Sequence, residues 1–452
     1  MNQNTSSNPS FSRRDFLTTT TKAAAGASLL GALSAERFAL GASPSDTVKI
    51  ALIGCGGRGS GAANQALGTD GSVKLVAAAD VHPDRLNGAI SNLSKAHKDK
   101  VDIKKENLFL GFDGYKKAIA MADVVILATP PGFRPMQFEE AVRQGKHVFM
   151  EKPVCVDAPG FRKVMAAAQE AKKKNLKVGV GLQRHHQLGY LETMKRLHDG
   201  AIGDIVAMRA YWNGNTPWVR RRDELEKQYG RKLTEMEYQL RNWYYFVWLC
   251  GDHIAEQHIH NLDVINWVKK GPPVSARGNG GCETRKGKDY GEIFDHHVVE
   301  FTYADGSVCF SQCRHQQGCW NDVSESVIGT KGKSDLGRYT ITGENAWRFK
   351  GGGKDAYQQE HDDLFAAIRN DTPFNEAEYG AASSMTSVLG RMATYSGKEV
   401  TWEQAINSQV DTMVPNIDKV SFEEAMNLSP KSLPDPATGL YKLAIPGVTT
   451  VI

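Results

Sequence analysis

Val48-Lys49-Ile50-Ala51-Leu52-Ile53-Gly54-Cys55-Gly56-Gly57-Arg58-Gly59 is the stretch on which the fold of this chain turns. Its first six residues are a short, largely apolar, β-branched run suited to a buried parallel strand. They lead directly into a G-x-G-x-x-G loop, and Ser60 to Leu67 then reads as the start of a helix. In such a unit Gly54 makes the tight turn, Gly56 lets the backbone approach a pyrophosphate, and Gly59 lets helix and strand pack closely. Gly57 and Arg58, within the loop, join these glycines as cofactor contacts, and the N-terminus of the helix that follows offers amide donors to the phosphates.

Downstream, a second apolar strand, Lys74 to Ala79, ends in Asp80, 21 residues beyond Gly59. A carboxylate there accepts ribose hydroxyls and repels a 2′-phosphate, which favours NAD, while the nearby Arg85 leaves NADP open. Alternation continues with a helix from Asp84 to His97 and strands at Phe109–Phe112, Ala122–Thr129, His147–Met150 and Lys177–Leu182. Strands separated by helical periods imply a doubly wound parallel sheet, a Rossmann domain over residues 47–185. Ligands are expected at the carboxyl ends of its strands, where Gly54, Asp80, Thr129, Pro130, Glu151 and Lys152 lie.

The net charge of +4 includes a surplus of two from Arg13, Arg14, Lys22 and Arg37 over Asp15 and Glu36. The rest is nearly neutral, which gives no electrostatic case for nucleic acid or a membrane surface and points to a small-molecule ligand. Ser12-Arg13-Arg14-Asp15-Phe16-Leu17, then a mild apolar run and small residues, resembles a twin-arginine export signal over residues 1–42. The apolar run is far shorter than the ~20 residues of a membrane span, so no stable anchor is expected, and the mature protein is placed in the periplasm. An exported enzyme has little free dinucleotide to draw on, so the cofactor is expected to stay bound. The seven cysteines contain no C-x-x-C pair, and Cys309, Cys313 and Cys319 read as small side chains on strands.

Gly145-Lys146-His147-Val148-Phe149-Met150-Glu151-Lys152-Pro153 resembles the E-K-P signature of the Gfo/Idh/MocA oxidoreductases, and the resemblance extends over most of residues 47–405. It implies that Lys152 contacts substrate and nicotinamide together, holding the reacting hydroxyl. The second signature of that family, a helix bearing an acid and then a histidine, matches Glu256 to Asp263. The resemblance makes His260 the general base and Glu256 its companion acid; a spacing of four sets both on one helix face. Asp263 is expected to fix structure. Two positions depart from the family pattern: His258 replaces a common glycine, and Arg134 replaces a common histidine. Both add hydrogen-bonding groups near the expected site. His258 and His260 are two apart and point to different faces, so a metal-free base is preferred to a metal site. One member of each of the pairs His185-His186 and His296-His297 is a further candidate to line the site.

After residue 185 the pattern changes to longer amphipathic strands at Ile205–Trp212, Val274–Gly278, Asp295–Tyr303 and Ser307–Arg314, read as antiparallel neighbours. The expected fold is thus α/β: the Rossmann domain plus an α+β domain, residues 186–407, with an open, mainly antiparallel sheet. The resemblance implies a homo-oligomer formed through that sheet. Trp218 to Cys250 is rich in aromatic and arginine residues, suited to a sugar ring, with Trp243 and Tyr244 as substrate contacts beside Arg184 and His258. Residues 358–395 read as packing helices, and 408–452 as an extension draped over the body or a neighbour. The expected activity is hydride transfer between a sugar, glycoside or inositol carbon and a bound nicotinamide. The alternative is a redox-neutral glycoside hydrolase or lyase working by transient oxidation and elimination, with His258 or Tyr244 as the extra base.

Overall fold

The computed structural model describes residues 47–452, so the twin-arginine segment lies outside the described residues. Six strands form a parallel sheet: Val48–Ile53 (β1), Val73–Asp80 (β2), Leu108–Leu110 (β3), Val124–Leu127 (β4), His147–Met150 (β5) and Val178–Val180 (β6). Their order is β3-β2-β1-β4-β5-β6. Chain order reverses between β1 and β4, which opens a crevice at the carboxyl ends. Ile50, Ala51 and Leu52 are sealed on both faces, which is why β1 reads as a continuous apolar run. Crossovers are made by helices Gly57–Leu67 (α1), Pro83–Ala96 (α2), Gly114–Ala120 (α3), Arg134–Arg143 (α4) and Ala158–Lys173 (α5). Local chemistry starts α5: Asp157 accepts from the Gly160 amide at 2.8 Å, and Pro159 occupies the first turn.

The second sheet has nine strands: Ile205–Gly214 (β7), Ser275–Gly281 (β8), His296–Thr302 (β9), Val308–His315 (β10), Asp322–Gly329 (β11), Gly332–Asp335 (β12), Thr340–Gly343 (β13), Trp347–Arg348 (β14) and Val400–Thr401 (β15). It is mixed, in the order β14-β13-β12-β11-β7-β10-β9-β8-β15. The expectation of antiparallel neighbours fails at its centre, because β7 and β10 run parallel. The long connection between them supplies the crossover that a parallel pair requires. β11, which is not among the strands expected from sequence, closes the other side of β7 in antiparallel register.

That connection carries the helices Glu235–Arg241 (α6), His253–Glu256 (α7) and Ile259–Lys269 (α8). Two later helices, Ala356–Arg369 (α9) and Ala377–Ser396 (α10), have different destinations. α9 returns to the first sheet, where Leu364, Phe365 and Ile368 share a core with Leu52 and Phe149. α10 is buried almost throughout and packs between β8 and α5, joining the two halves. Val299, Cys309 and Val327 face the helices, whereas Val298, Phe310 and Ile328 alternate outward at 47%, 48% and 39% exposure. The tail lies over the body, with Ile417, Met426 and Tyr441 packed against Tyr238, Phe246 and Trp248. Cys309 and Cys313 are buried strand residues and Cys319 is exposed; all are free thiols. No helix of the described residues is long and apolar enough to cross a membrane.

Candidate active site

A cavity of about 550 Å³ opens where the crevice of the first sheet meets the second domain. One end is built by the glycine loop. Gly54 has φ +90°, and a Cβ there would lie 2.4 Å from the Thr129 amide nitrogen. A Cβ on Gly59 would lie 1.9 Å from the Gly54 carbonyl oxygen, so helix and strand touch backbone to backbone. Gly56 is different: it lines the cavity, and a Cβ there meets no protein atom within 4 Å. Its bareness leaves room for something other than protein. The first amides of α1 lack intrahelical acceptors and begin at this spot.

Asp80 lies beside the loop. Its two carboxylate oxygens accept from the Cys55 amide at 2.6 Å and the His82 amide at 2.8 Å. These bonds aim the group and leave lone pairs for a diol. Burial raises its pKa, against the lowering by those amides. Open space at Gly56, helix amides and an aimed carboxylate together fit a dinucleotide. Gly54, Gly56, Gly57, Arg58, Gly59, Asp80, Thr129, Pro130, Glu151 and Lys152 all line this cavity. The Arg58 side chain, however, is committed to Glu151 at 2.5 Å and Glu360 at 3.1 Å, above the Tyr357 ring, which leaves its amide for phosphate.

At the other end stand Lys152, Glu256 and His260. Lys152 follows β5, and its Nζ donates to the Glu256 carbonyl and lies 3.2 Å from Glu256 Oε1. Glu256 ends α7 and His260 opens α8, with Gln257 and His258 as a turn between. The single helix expected across Glu256 and His260 is therefore broken, yet both residues reach the cavity. The His260 ring stacks on Trp212 at 6.0 Å, and its Nδ1 is buried without a partner, which leaves Nε2 as the nitrogen presented to the cavity. Burial first, and then Lys152, Arg184 and Arg58, hold His260 well below its ordinary 6.5. Burial raises the pKa of Glu256 while Lys152 opposes it. The result is a neutral imidazole beside an ammonium, the pairing a proton acceptor and an oxygen holder require.

Three expected substrate contacts lie elsewhere. His258 is fully buried, and its Nε2 meets Ser311 Oγ at 2.7 Å, because the turn rotates it toward β10. Arg184 is drawn under the site by Glu325 and lies over the Tyr190 ring. Tyr244 is buried behind Trp218 and Trp243. Only Trp243 of the four lines the cavity. None of the paired histidines does: His185 is sandwiched between Trp267 and Tyr379 and bonded to Asp263, and His186 joins Asp363 and Glu376. His297 joins Asp252, and His296 bonds to Asp295. Arg134 lines the cavity but spends its donors on the Glu151 and Thr129 carbonyls, tying the ends of β4 and β5 together.

Asp252, His253 and His297 bring three ligand-type groups within 4.8 Å. The Asp252 carboxylate already accepts from the His253 amide and Nδ1, the Phe294 amide and Tyr395 Oη, so the group reads as a hydrogen-bond hub. Sequence reasoning missed Gln137, Tyr115 and Tyr357 among the lining residues. Tyr357 sits on α9, some 300 residues from the loop it covers, and no local pattern signals that return.

Comparison with known proteins places residues 48–181 in an oxidoreductase family described by its NAD-binding Rossmann fold. Inositol 2-dehydrogenase of Ralstonia nicotianae is 26% identical over 296 residues, 64% of this chain and 74% of its own length. Among solved structures, aldose-aldose oxidoreductase from Caulobacter crescentus, complexed with glycerol, superimposes with a TM-score of 0.61 at 16% identity, over 79% of this chain and 100% of that one. Scyllo-inositol dehydrogenase from Lactobacillus casei, with NAD(H) and scyllo-inositol, gives 0.59 at 22% identity, over 79% and 99%.

Proposed function

Since the chain belongs to the Gfo/Idh/MocA oxidoreductases and binds NAD through its Rossmann domain, we propose that it oxidises a hydroxyl-bearing carbon of a sugar, glycoside or inositol, or reduces the matching ketone. The observation that carries this reading is one cavity with Gly56 and Asp80 at one end and Lys152, Glu256 and His260 at the other. Bound NAD supplies a hydride acceptor. The chain supplies the rest. Lys152 holds the reacting oxygen and stabilises charge on it, His260 Nε2 takes the hydroxyl proton, and Glu256 fixes Lys152. Trp218 and Trp243, ring centroids 5.8 Å apart, offer apolar faces to a sugar ring.

The elimination route is not favoured: His258 and Tyr244, its candidate bases, both lie off the cavity lining. Two further readings belong to this proposal. The arginine pair near the N-terminus supports export to the periplasm with the cofactor captive, and the outward row Val298, Phe310, Ile328 supports pairing of two copies through the sheet. The test is near-ultraviolet absorbance of the purified protein during addition of sugars and inositols, with product analysis of the same samples. Reduced nicotinamide with a keto product is expected; glycoside cleavage without lasting reduction would overturn net oxidation.

A further inference from the structure

The adenosine half of the cavity lies outside the carboxyl ends of the first sheet's strands, where Asp80 stands. Here a second wall stands over that half. Leu240 and Arg241, at the end of α6, line the cavity together with Asp80 and Arg85. Arg241 makes a two-pronged ion pair with Asp84 on α2, at 2.8 and 2.6 Å. Its own side chain is 12% exposed while that of Asp84 is 53% exposed, so the arginine is held inward and the carboxylate anchors it from the rim. Those bonds keep the Asp84 carboxyl below its usual range.

The base of this wall is fixed. Thr234 and Glu237 form a reciprocal capping box at the start of α6. Asn242, fully buried, donates to the Asp289 carbonyl at 2.8 Å and accepts from the Arg220 amide at 2.9 Å. The tail closes the same side: Tyr115 Oη donates to Asp418 at 2.9 Å, and Phe112 meets Phe422 at 6.3 Å.

We propose that Arg241 is a cofactor-retaining residue, and that its pair with Asp84 is a clasp which must open before the dinucleotide can leave the adenosine end of the cavity. The inference rests on the dinucleotide reading of the cavity and goes beyond it, assigning retention to a segment outside the Rossmann domain. A bidentate guanidinium–carboxylate pair is directional and less mobile than a lone surface charge, which suits it to this use.

The experiment is a release measurement. Full-length protein is loaded with NADH and mixed with a large excess of NAD, and the loss of bound-nicotinamide fluorescence gives the release rate. Arg241→Gln and Asp84→Asn are each expected to release NADH about tenfold faster than the parent. The exchanged pair, Asp84→Arg with Arg241→Asp, is expected to recover much of the slow release. Thermal unfolding of the unloaded proteins separates a lost clasp from a lost fold. Asp84→Asn, a change at a half-exposed side chain, carries the test if Arg241→Gln proves unstable. Release from folded Asp84→Asn within about twofold of the parent rate would overturn the clasp while leaving the cofactor reading intact. A parent protein that binds no NADH would overturn both.

Discussion

Lys152 and His260 act on each other before either acts on a substrate. The ammonium is among the charges that hold the buried imidazole neutral, after burial itself. A base with a depressed pKa remains unprotonated as pH falls, so the acid limb of kcat/KM is expected well under 6.5. Lys152→Met removes one lowering influence and should move that limb upward, while cutting kcat about a thousandfold. A pH profile of the variant reads both effects; a limb that stays in place would detach His260 from the proton transfer. Residue types at this site were legible in sequence because Lys152, Glu256 and His260 fall in the two signature stretches that resemble the family. Which of two diverging histidines faces the cavity was not. His258 sits two positions from His260, and the turn at Gln257 sends one toward Ser311 and the other into the cavity.

At the scale of elements, the β1–loop–α1 unit separates two uses of glycine. Gly59 has no room, since a Cβ would strike backbone. Gly59→Ala is therefore expected to cost about 2–3 kcal/mol of stability, measured by denaturant unfolding. Gly56 has room, and its φ of −72° suits any L residue. Gly56→Val should fold like the parent and lose dinucleotide affinity roughly tenfold or more, measured by fluorescence titration. Equal affinity in that variant would remove the pyrophosphate from this loop. The unit was readable from sequence because strand period, glycine spacing and helix start all fall within twenty residues. The second sheet was only partly so: alternation located β7, β8, β9 and β10, but pairing direction depends on a connection whose path no local pattern encodes.

For the whole molecule, the proposed pairing of copies rests on the outward face of the second sheet. Phe310 stands at its middle, opposite Arg209 on one neighbour and Glu300 on the other. Phe310→Glu should convert an oligomer to a monomer in light scattering without changing dinucleotide release. A parent protein that is already monomeric would remove the sheet as an interface. The division into two halves was legible from the change of hydrophobic period near residue 185. The return of α9 to the first half was not, since its apolar stripe is the same whichever sheet it covers.

That return has a consequence for how the chain is made. The first sheet emerges early, but the face that α1 and α2 cover stays incomplete until Leu364, Phe365 and Ile368 arrive. β7 is the middle of the second sheet, yet its two partners begin only at Val308 and Asp322. Both halves therefore wait on residues made late, from Val308 onward. Part of the apolar surface of each sheet stays uncovered until those late residues have been made, and the order of the strands along the chain sets how long that exposure lasts.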